Sequence, residues 1–379
     1  MSDTFAKGLE GVIAAESKIC RIDGEKGQLY YLGYPITDLV EHCTFEEVTY
    51  LLLYGDLPTR EQLAVFSAKM RNARELPEPV INMVRDFPKN AHPMELLQSV
   101  ISYLSSYVEH KIHHGPHCNC RDTLHQLAEI ATVVATYQRV QEGKDYLPPR
   151  KDLSHGANLL YMLRGEEPEP YEGEIMDKAL ILHAEHSLNA STFTARVVAS
   201  TMSTCYCSIS AAIGALFGSR HGGANEKVMD MVDEIGRKDA AKEWVNNALD
   251  KKQKVMGMGH RVYRAKDPRS IIMEEYLRTL SEKKDDWKYY ETLKEVENSF
   301  RERMEEKGKP IYPNVDFFSG AVYRMLGIPT VLFTPIFAVA RASGWLSHIL
   351  EQRVDNRIYR PKAQYVGHEQ RRLVPIEER

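Results

Sequence analysis

Thr44-Phe45-Glu46-Glu47-Val48-Thr49-Tyr50-Leu51-Leu52-Leu53-Tyr54-Gly55 begins on a helix-capping pattern and closes on a helix-ending glycine. A threonine with glutamate three residues later forms a capping box, in which each side chain satisfies a backbone N–H left open at the helix start. The apolar run behind it then stops at Gly55. Thr59-Arg60-Glu61-Gln62 repeats the signature and predicts a helix to about Arg74. Upstream lies the only convincing strand signal: Lys18 to Ile22, a turn over Asp23-Gly24-Glu25-Lys26-Gly27, then Gln28 to Leu32. Downstream the punctuation stays helical. Pro79 and Pro93 each start a helix, residues 122–141 read as a long amphipathic one, and Asp152 is expected to cap a helix through Leu163. Gly165 to Gly173, rich in acids and proline, reads as a surface loop. Residues 175–217 are helical with brief breaks, and further helices are predicted near 223–235, 239–250, 268–281, 286–307, 315–326 and 335–352. The fold class expected is all-α with a small N-terminal β-hairpin.

At 379 residues the chain has ample length for a core and room for two domains. No repeat, low-complexity tract or flexible linker divides it, so a second domain would be joined by ordered segments, the smaller as an insertion. A net charge of −4 argues against nucleic-acid binding, whose footprint is a basic excess. The N-terminus lacks the charged and apolar regions of a signal peptide, and the six cysteines are expected as reduced thiols in the cytoplasm. Val197 to Ser219 is uncharged, but its Ser, Thr, Ala and Gly content suits a buried helix pair better than a membrane span. Cys205 and Cys207 within it read as small core residues.

The chemistry concentrates in Lys254-Val255-Met256-Gly257-Met258-Gly259-His260-Arg261-Val262-Tyr263-Arg264-Ala265-Lys266-Asp267-Pro268-Arg269. Its glycines allow close approach to the backbone, and His260 is a proton carrier near neutral pH. Arg261, Arg264, Lys266 and Arg269 suit an anionic ligand. Asp267-Pro268 reads as a helix start, whose backbone also favours negative charge. A basic surface loop before a helix would look the same.

Four other segments carry candidates. In Leu182-His183-Ala184-Glu185-His186 the two histidines are expected to share a helix face, as core histidines or as ligands. His221-Gly222-Gly223 at a helix start can present its ring to a ligand, or simply make a turn. Asp316, in Pro313-Asn314-Val315-Asp316-Phe317-Phe318, lies among aromatic rings that would strengthen it as a base by desolvation. Arg341 stands in an apolar helix, and Arg360 precedes Pro361; a buried guanidinium wants a carboxylate or phosphate, or a structural ion pair. The set suits proton transfer beside a carbonyl in a substrate with several carboxylates.

These motifs, in this order, resemble the citrate synthase family: Ala-Glu-His-Ser-Leu-Asn-Ala-Ser-Thr-Phe-Thr (184–194), His-Gly-Gly-Ala-Asn-Glu (221–226), Met-Gly-Met-Gly-His-Arg-Val-Tyr-Arg-Ala-Lys-Asp-Pro-Arg (256–269), Pro-Asn-Val-Asp-Phe-Phe-Ser-Gly (313–320) and Arg-Pro-Lys (360–362). The resemblance runs from about Gly8 to the C-terminus. It implies an α-helical homodimer, with residues 223–330 as a small domain inserted between 1–222 and 331–379. The implied reaction condenses acetyl-CoA with oxaloacetate and hydrolyses citryl-CoA. Asp316 would be the general base, His221 would stabilise the enol or enolate, and His260 would donate to the oxaloacetate carbonyl. His186, Arg269 and Arg341 would bind oxaloacetate, with Arg360 supplied by the other subunit. Lys254, Val255, Met256, Gly257, Met258 and Arg264 would contact CoA. No metal or redox cofactor is implied.

Two features depart from the pattern. Leu32 stands where many members carry arginine, and His110-Lys-Ile-His-His-Gly-Pro-His-Cys-Asn-Cys120 is unusual in the family. The latter has metal-binding side chains without a common zinc spacing. Two alternatives therefore stand beside the main expectation: a 2-methylcitrate synthase using propionyl-CoA, and a metal-binding helical protein with a degenerate site.

Overall fold

The computed structural model describes residues 5–107 and 124–379. The N-terminal segment forms an antiparallel sheet of β1 (Cys20–Asp23), β2 (Gln28–Tyr31) and β3 (Tyr34–Pro35), in that order. β1 and β2 pair from Cys20 with Tyr31 to Asp23 with Gln28. The hairpin is as expected. The third strand is two residues long and too short to register as a pattern.

The chain then becomes helical: α1 (Ile36–His42), α2 (Phe45–Tyr54), α3 (Arg60–Asn72), α4 (Glu78–Asp86), α5 (Pro93–Leu104), α6 (Leu124–Gln141), α7 (His155–Arg164) and α8 (Pro170–Ala184). It continues through α9 (Ala190–Ser200), α10 (Cys205–Phe217), α11 (Ala224–Ile235), α12 (Lys238–Asp250), α13 (Pro268–Lys284), α14 (Lys288–Glu305), α15 (Val315–Met325) and α16 (Phe333–Val354). Both capping boxes form. The Thr44 amide donates to Glu47 Oε2 at 2.7 Å while the Glu47 amide donates back to Thr44 Oγ1 at 3.3 Å, and Thr59 and Gln62 do the same.

The core surrounds α16, whose residues from Phe333 to Ile349 are buried almost without interruption. It packs against α2, α6, α8, α9 and α10, while α13 packs on α15 and α12 on α14. A helix buried on nearly all sides needs no polar face, which is why Arg341 stands alone in an apolar stretch.

Four expectations are corrected. Ser154, not Asp152, caps α7, accepting from the Ala157 amide at 3.3 Å; Asp152 turns instead to Arg150. The loop after Gly165 ends at Glu169, because Pro170 opens α8 and buried Glu172 is held there by Arg164 and Lys284 at 2.5 Å each. α8 stops at Ala184, so His183 and His186 do not share a helix face. Cys205 is buried, but Cys207 is exposed. α1 follows Pro35 with no side-chain cap, so it lacked the signal that marked α2 and α3. Residues 110–120 lie outside the described residues.

Candidate active site

His186, His221, His260, Arg269, Asp316 and Arg341 line one cavity of about 1150 Å³. Interhelix junctions supply most of them. His186 follows α8, His221 follows α10, His260 sits in the loop before α13, and Asp316 and Arg269 each occupy the second position of a helix. Only Arg341 lies in mid-helix. Loops can point side chains inward because rigid helices fix both of their ends.

The glycines bind protein to protein here. Gly257 has φ +76°, and a Cβ on it would come within 2.9 Å of the backbone and ring of Phe317. Its carbonyl accepts from the Asn314 amide at 2.9 Å, Gly259 donates to the Tyr312 carbonyl at 2.8 Å, and Asn314 Nδ2 donates to the Gly259 carbonyl at 2.9 Å. The loop carrying His260 is thus zipped to the segment that launches Asp316. Phe317 fills the space beside Gly257 and Ile311 lies against Gly259, which revises the expectation that these glycines make room for a ligand.

Both candidate catalytic histidines are held by backbone donors. His260 Nδ1 accepts from the Val262 and Tyr263 amides at 2.9 and 3.2 Å, so its ring proton belongs on Nε2. His221 Nε2 accepts from the Ser191 amide at 3.1 Å, so its ring proton belongs on Nδ1. Burial lowers both to about 4, helped by the Arg269 charge at His260 and the Arg341 charge at His221. Each ring is therefore neutral near pH 7, with one N–H to give. His186 is pushed well below its ordinary value by burial and then by Arg269 and Arg341, and its Nε2 meets the Tyr263 hydroxyl at 3.3 Å. His183, in contrast, is fully buried against Tyr323 and Phe337, a core histidine.

The arginines are prepared differently. Asp267 caps α13 through the Arg269 amide and also takes Arg269 Nε at 3.0 Å and Nη2 at 2.8 Å. Burial alone would lower Arg269, but Asp267 offsets this and holds it above its ordinary value. Arg341 donates from Nε to the His183 carbonyl at 2.8 Å and stacks over Phe337; burial lowers it, and Glu185 opposes that. Asp316 is pushed up to about 6 by burial, with Arg269 and Arg341 pulling down and Asp267 pushing up. The result is a strong carboxylate base facing two guanidinium groups.

The remaining candidates stand apart. Lys254 and Arg264 are exposed, and Val255 and Gly257 are buried. Met258 pairs with Pro313 in an isolated β-bridge. Lys266, expected among the anion-binding cations, is consumed by Glu274 at 2.9 Å and Glu297 at 3.2 Å. Arg360 is exposed and lines a different cavity. Sequence reasoning missed Ser191, which fixes His221 and accepts from Trp345 Nε1 at 3.1 Å, and the fork of Asp267 on Arg269. The signal for Ser191 was present: Asn189-Ala-Ser-Thr is a helix start whose polar side chains must go somewhere. Among the described residues no three side chains could jointly hold a metal ion.

The family model described as citrate synthase, C-terminal domain, matches residues 8–362. A citrate synthase of Deinococcus radiodurans is 46% identical over 99% of both chains. A 2-methylcitrate synthase of Corynebacterium glutamicum is 42% identical, covering 98% of this chain and 97% of its own. The solved ternary complex of carboxymethyl coenzyme A and oxaloacetate with citrate synthase from Thermoplasma acidophilum superposes with a TM-score of 0.91 at 33% identity, covering 99% of this chain and 100% of that one.

Proposed function

The chain belongs to the citrate synthase family, transferases that condense acetyl-CoA with oxaloacetate, and from that premise we propose how its residues divide the work. Asp316 takes the proton from the acetyl methyl group, and the His221 Nδ1–H donates to the thioester oxygen as negative charge develops there. The His260 Nε2–H donates to the ketone oxygen of oxaloacetate as the new carbon–carbon bond forms. A neutral donor is apt on both sides, because its pKa lies nearer that of an enol or alcohol than an imidazolium's does. Arg269, Arg341 and His186 hold the oxaloacetate carboxylates and oxygen atoms, and Arg360 enters from the second subunit of a homodimer. The intermediate citryl-CoA is then hydrolysed at its thioester. This chemistry uses no metal or redox cofactor.

The observation carrying this reading is that six side chains from five separate segments meet in one cavity, with both histidines fixed as single-proton donors by main-chain amides. CoA is assigned to Lys254–Met258 and Arg264, whose exposed cations suit its phosphates. Residues 223–330 are proposed as the inserted small domain, closing over the substrates. No helix among the described residues is long and apolar enough to cross a membrane. The cytoplasm is the proposed compartment.

The test is oxaloacetate-dependent release of free CoA, with acetyl-CoA and propionyl-CoA compared over a concentration series. Higher catalytic efficiency with acetyl-CoA is expected. Preference for propionyl-CoA would move the chain to the 2-methylcitrate activity of its Corynebacterium relative, and release with neither would remove the assignment of these roles. One methylene changes pocket binding by about 1–3 kcal/mol, so measurable activity with both is compatible with the reading.

A further inference from the structure

The N-terminal hairpin touches both loops that carry oxaloacetate-facing histidines. At its turn, the Gly24 carbonyl accepts from the Arg264 amide at 2.9 Å and from the Ala265 amide at 3.3 Å. Gly24 lies so close to this loop that a Cβ would overlap the Val262 carbonyl oxygen, and a Cβ on Gly27 would come within 2.6 Å of the Lys266 carbonyl oxygen. Val262 and Tyr263 are the residues whose amides hold His260 Nδ1. At the other end of the hairpin, the β2 residue Tyr31 is fully buried. Its hydroxyl lies 2.9 Å from the Glu185 carbonyl, 3.1 Å from the Ile181 carbonyl and 3.2 Å from the Glu185 amide, next to His186. The His186 and His260 rings then stand edge to face, 5.4 Å apart.

We infer that the hairpin is a strut that sets the spacing of His186 and His260, with Gly24 and Tyr31 as its two contact points and therefore positioning residues for oxaloacetate. The inference rests on the reading of His260 as the donor to the oxaloacetate ketone. Its physical basis is that a hydrogen bond weakens steeply with misalignment, and a loop held by two main-chain bonds on one side follows whatever it is bonded to. A glycine is required at position 24 for proximity, since its φ is not left-handed. Alanine there would leave the turn's own backbone unstrained and push the 262–266 loop.

That separates it from Gly33, in the turn between β2 and β3, where φ is +91° and a Cβ would meet nothing within 4 Å. Gly33→Ala strains the sheet without touching either loop. The experiment compares Gly24→Ala, Gly33→Ala and His260→Ala in the purified full chain. It measures melting temperature, KM for oxaloacetate and for acetyl-CoA, and the infrared ketone stretch of bound oxaloacetate. Gly24→Ala is expected to raise KM for oxaloacetate about tenfold, leave KM for acetyl-CoA within about twofold, and move the stretch toward its value in free solution. Gly33→Ala should lower the melting temperature and change none of these. If His260→Ala leaves the stretch at the parent value, the donor reading falls and this inference with it. If His260→Ala moves the stretch and Gly24→Ala does not, only the strut is overturned. Equal kinetic losses in Gly24→Ala and Gly33→Ala would also overturn it. Should Gly24→Ala not fold, Tyr31→Phe makes the same comparison from the other contact point, with the same shift expected and the same unchanged stretch overturning the strut.

Discussion

Asp316 is the residue where stability and chemistry conflict. Burial pushes its carboxyl up to about 6, above its ordinary 3.8. As the proposed base it must be ionised, so kcat/KM should fall as pH drops through about 6, with no second limb from His221 or His260, both already neutral above about 4. A pH–rate profile from 5 to 8 checks this. The linkage runs the other way. A folded-state pKa above the unfolded one means this group's contribution is fully present below about 4 and is lost as pH rises through about 6. Asp316→Asn should therefore stabilise the ligand-free protein at pH 7 by about 2 kcal/mol while cutting turnover at least 10²-fold. Denaturant melts with and without the substitution measure the first effect, and the CoA-release assay measures the second. The raised carboxyl was legible from the aromatic neighbours Phe317 and Phe318. The helix start at Asn189 was legible too, but not that Ser191 holds His221, a contact between separate segments; Asp267 read as a helix cap without showing its second hold on the Arg269 guanidinium.

At the scale of elements, the helix ends decide where the side chains go. Thr44 and Thr59 were readable because a capping box is a contact between residues three apart. The end of α8 at Ala184 was not, since Glu185 continues a helical pattern and leaves it only because its backbone and carboxylate are claimed by Tyr31 and His348. Long-range contacts of this kind override local propensity. The zipper between residues 257–259 and 312–314 is another such case, and it makes a prediction. Gly257→Ala must adopt φ +76° and displace Phe317, so it should cost about 2–3 kcal/mol and lower kcat by shifting Asp316. Thermal melts and single-turnover rates check both, and a wild-type rate would show that the zipper does not position the base. Nearby, Lys266 and Lys294 each bridge Glu274 and Glu297, a closed ring of four charges joining the His260 loop to α13 and α14. Lys294→Met should destabilise by about 1–2 kcal/mol, as measured by denaturant melts at low salt.

For the whole molecule, the all-α class and the converging site were legible because motif order and helix punctuation survive in one dimension. Arg360 was expected to serve the other subunit's site and not its own. It is exposed and away from the cavity, as a residue destined for a partner's site would be in a single chain. Arg360→Ala and Arg341→Ala should each be nearly inactive alone. Mixed and refolded together, hybrid dimers would carry one site with both arginines, so activity should recover toward about a quarter of the parent. Proven hybrids with no recovery would exclude a shared site.

The two ends of the chain also meet. The Lys18 amide donates to Glu351 at 2.9 Å, and the Tyr359 hydroxyl donates to the Ala14 carbonyl at 3.3 Å. At about 5–20 residues per second, Lys18 is synthesised roughly 20–70 s before Glu351. For that interval the segment leading into the first strand waits without its last partners. A nascent chain released before residue 351 would carry every catalytic candidate proposed for its own site, yet lack the clasp between its ends.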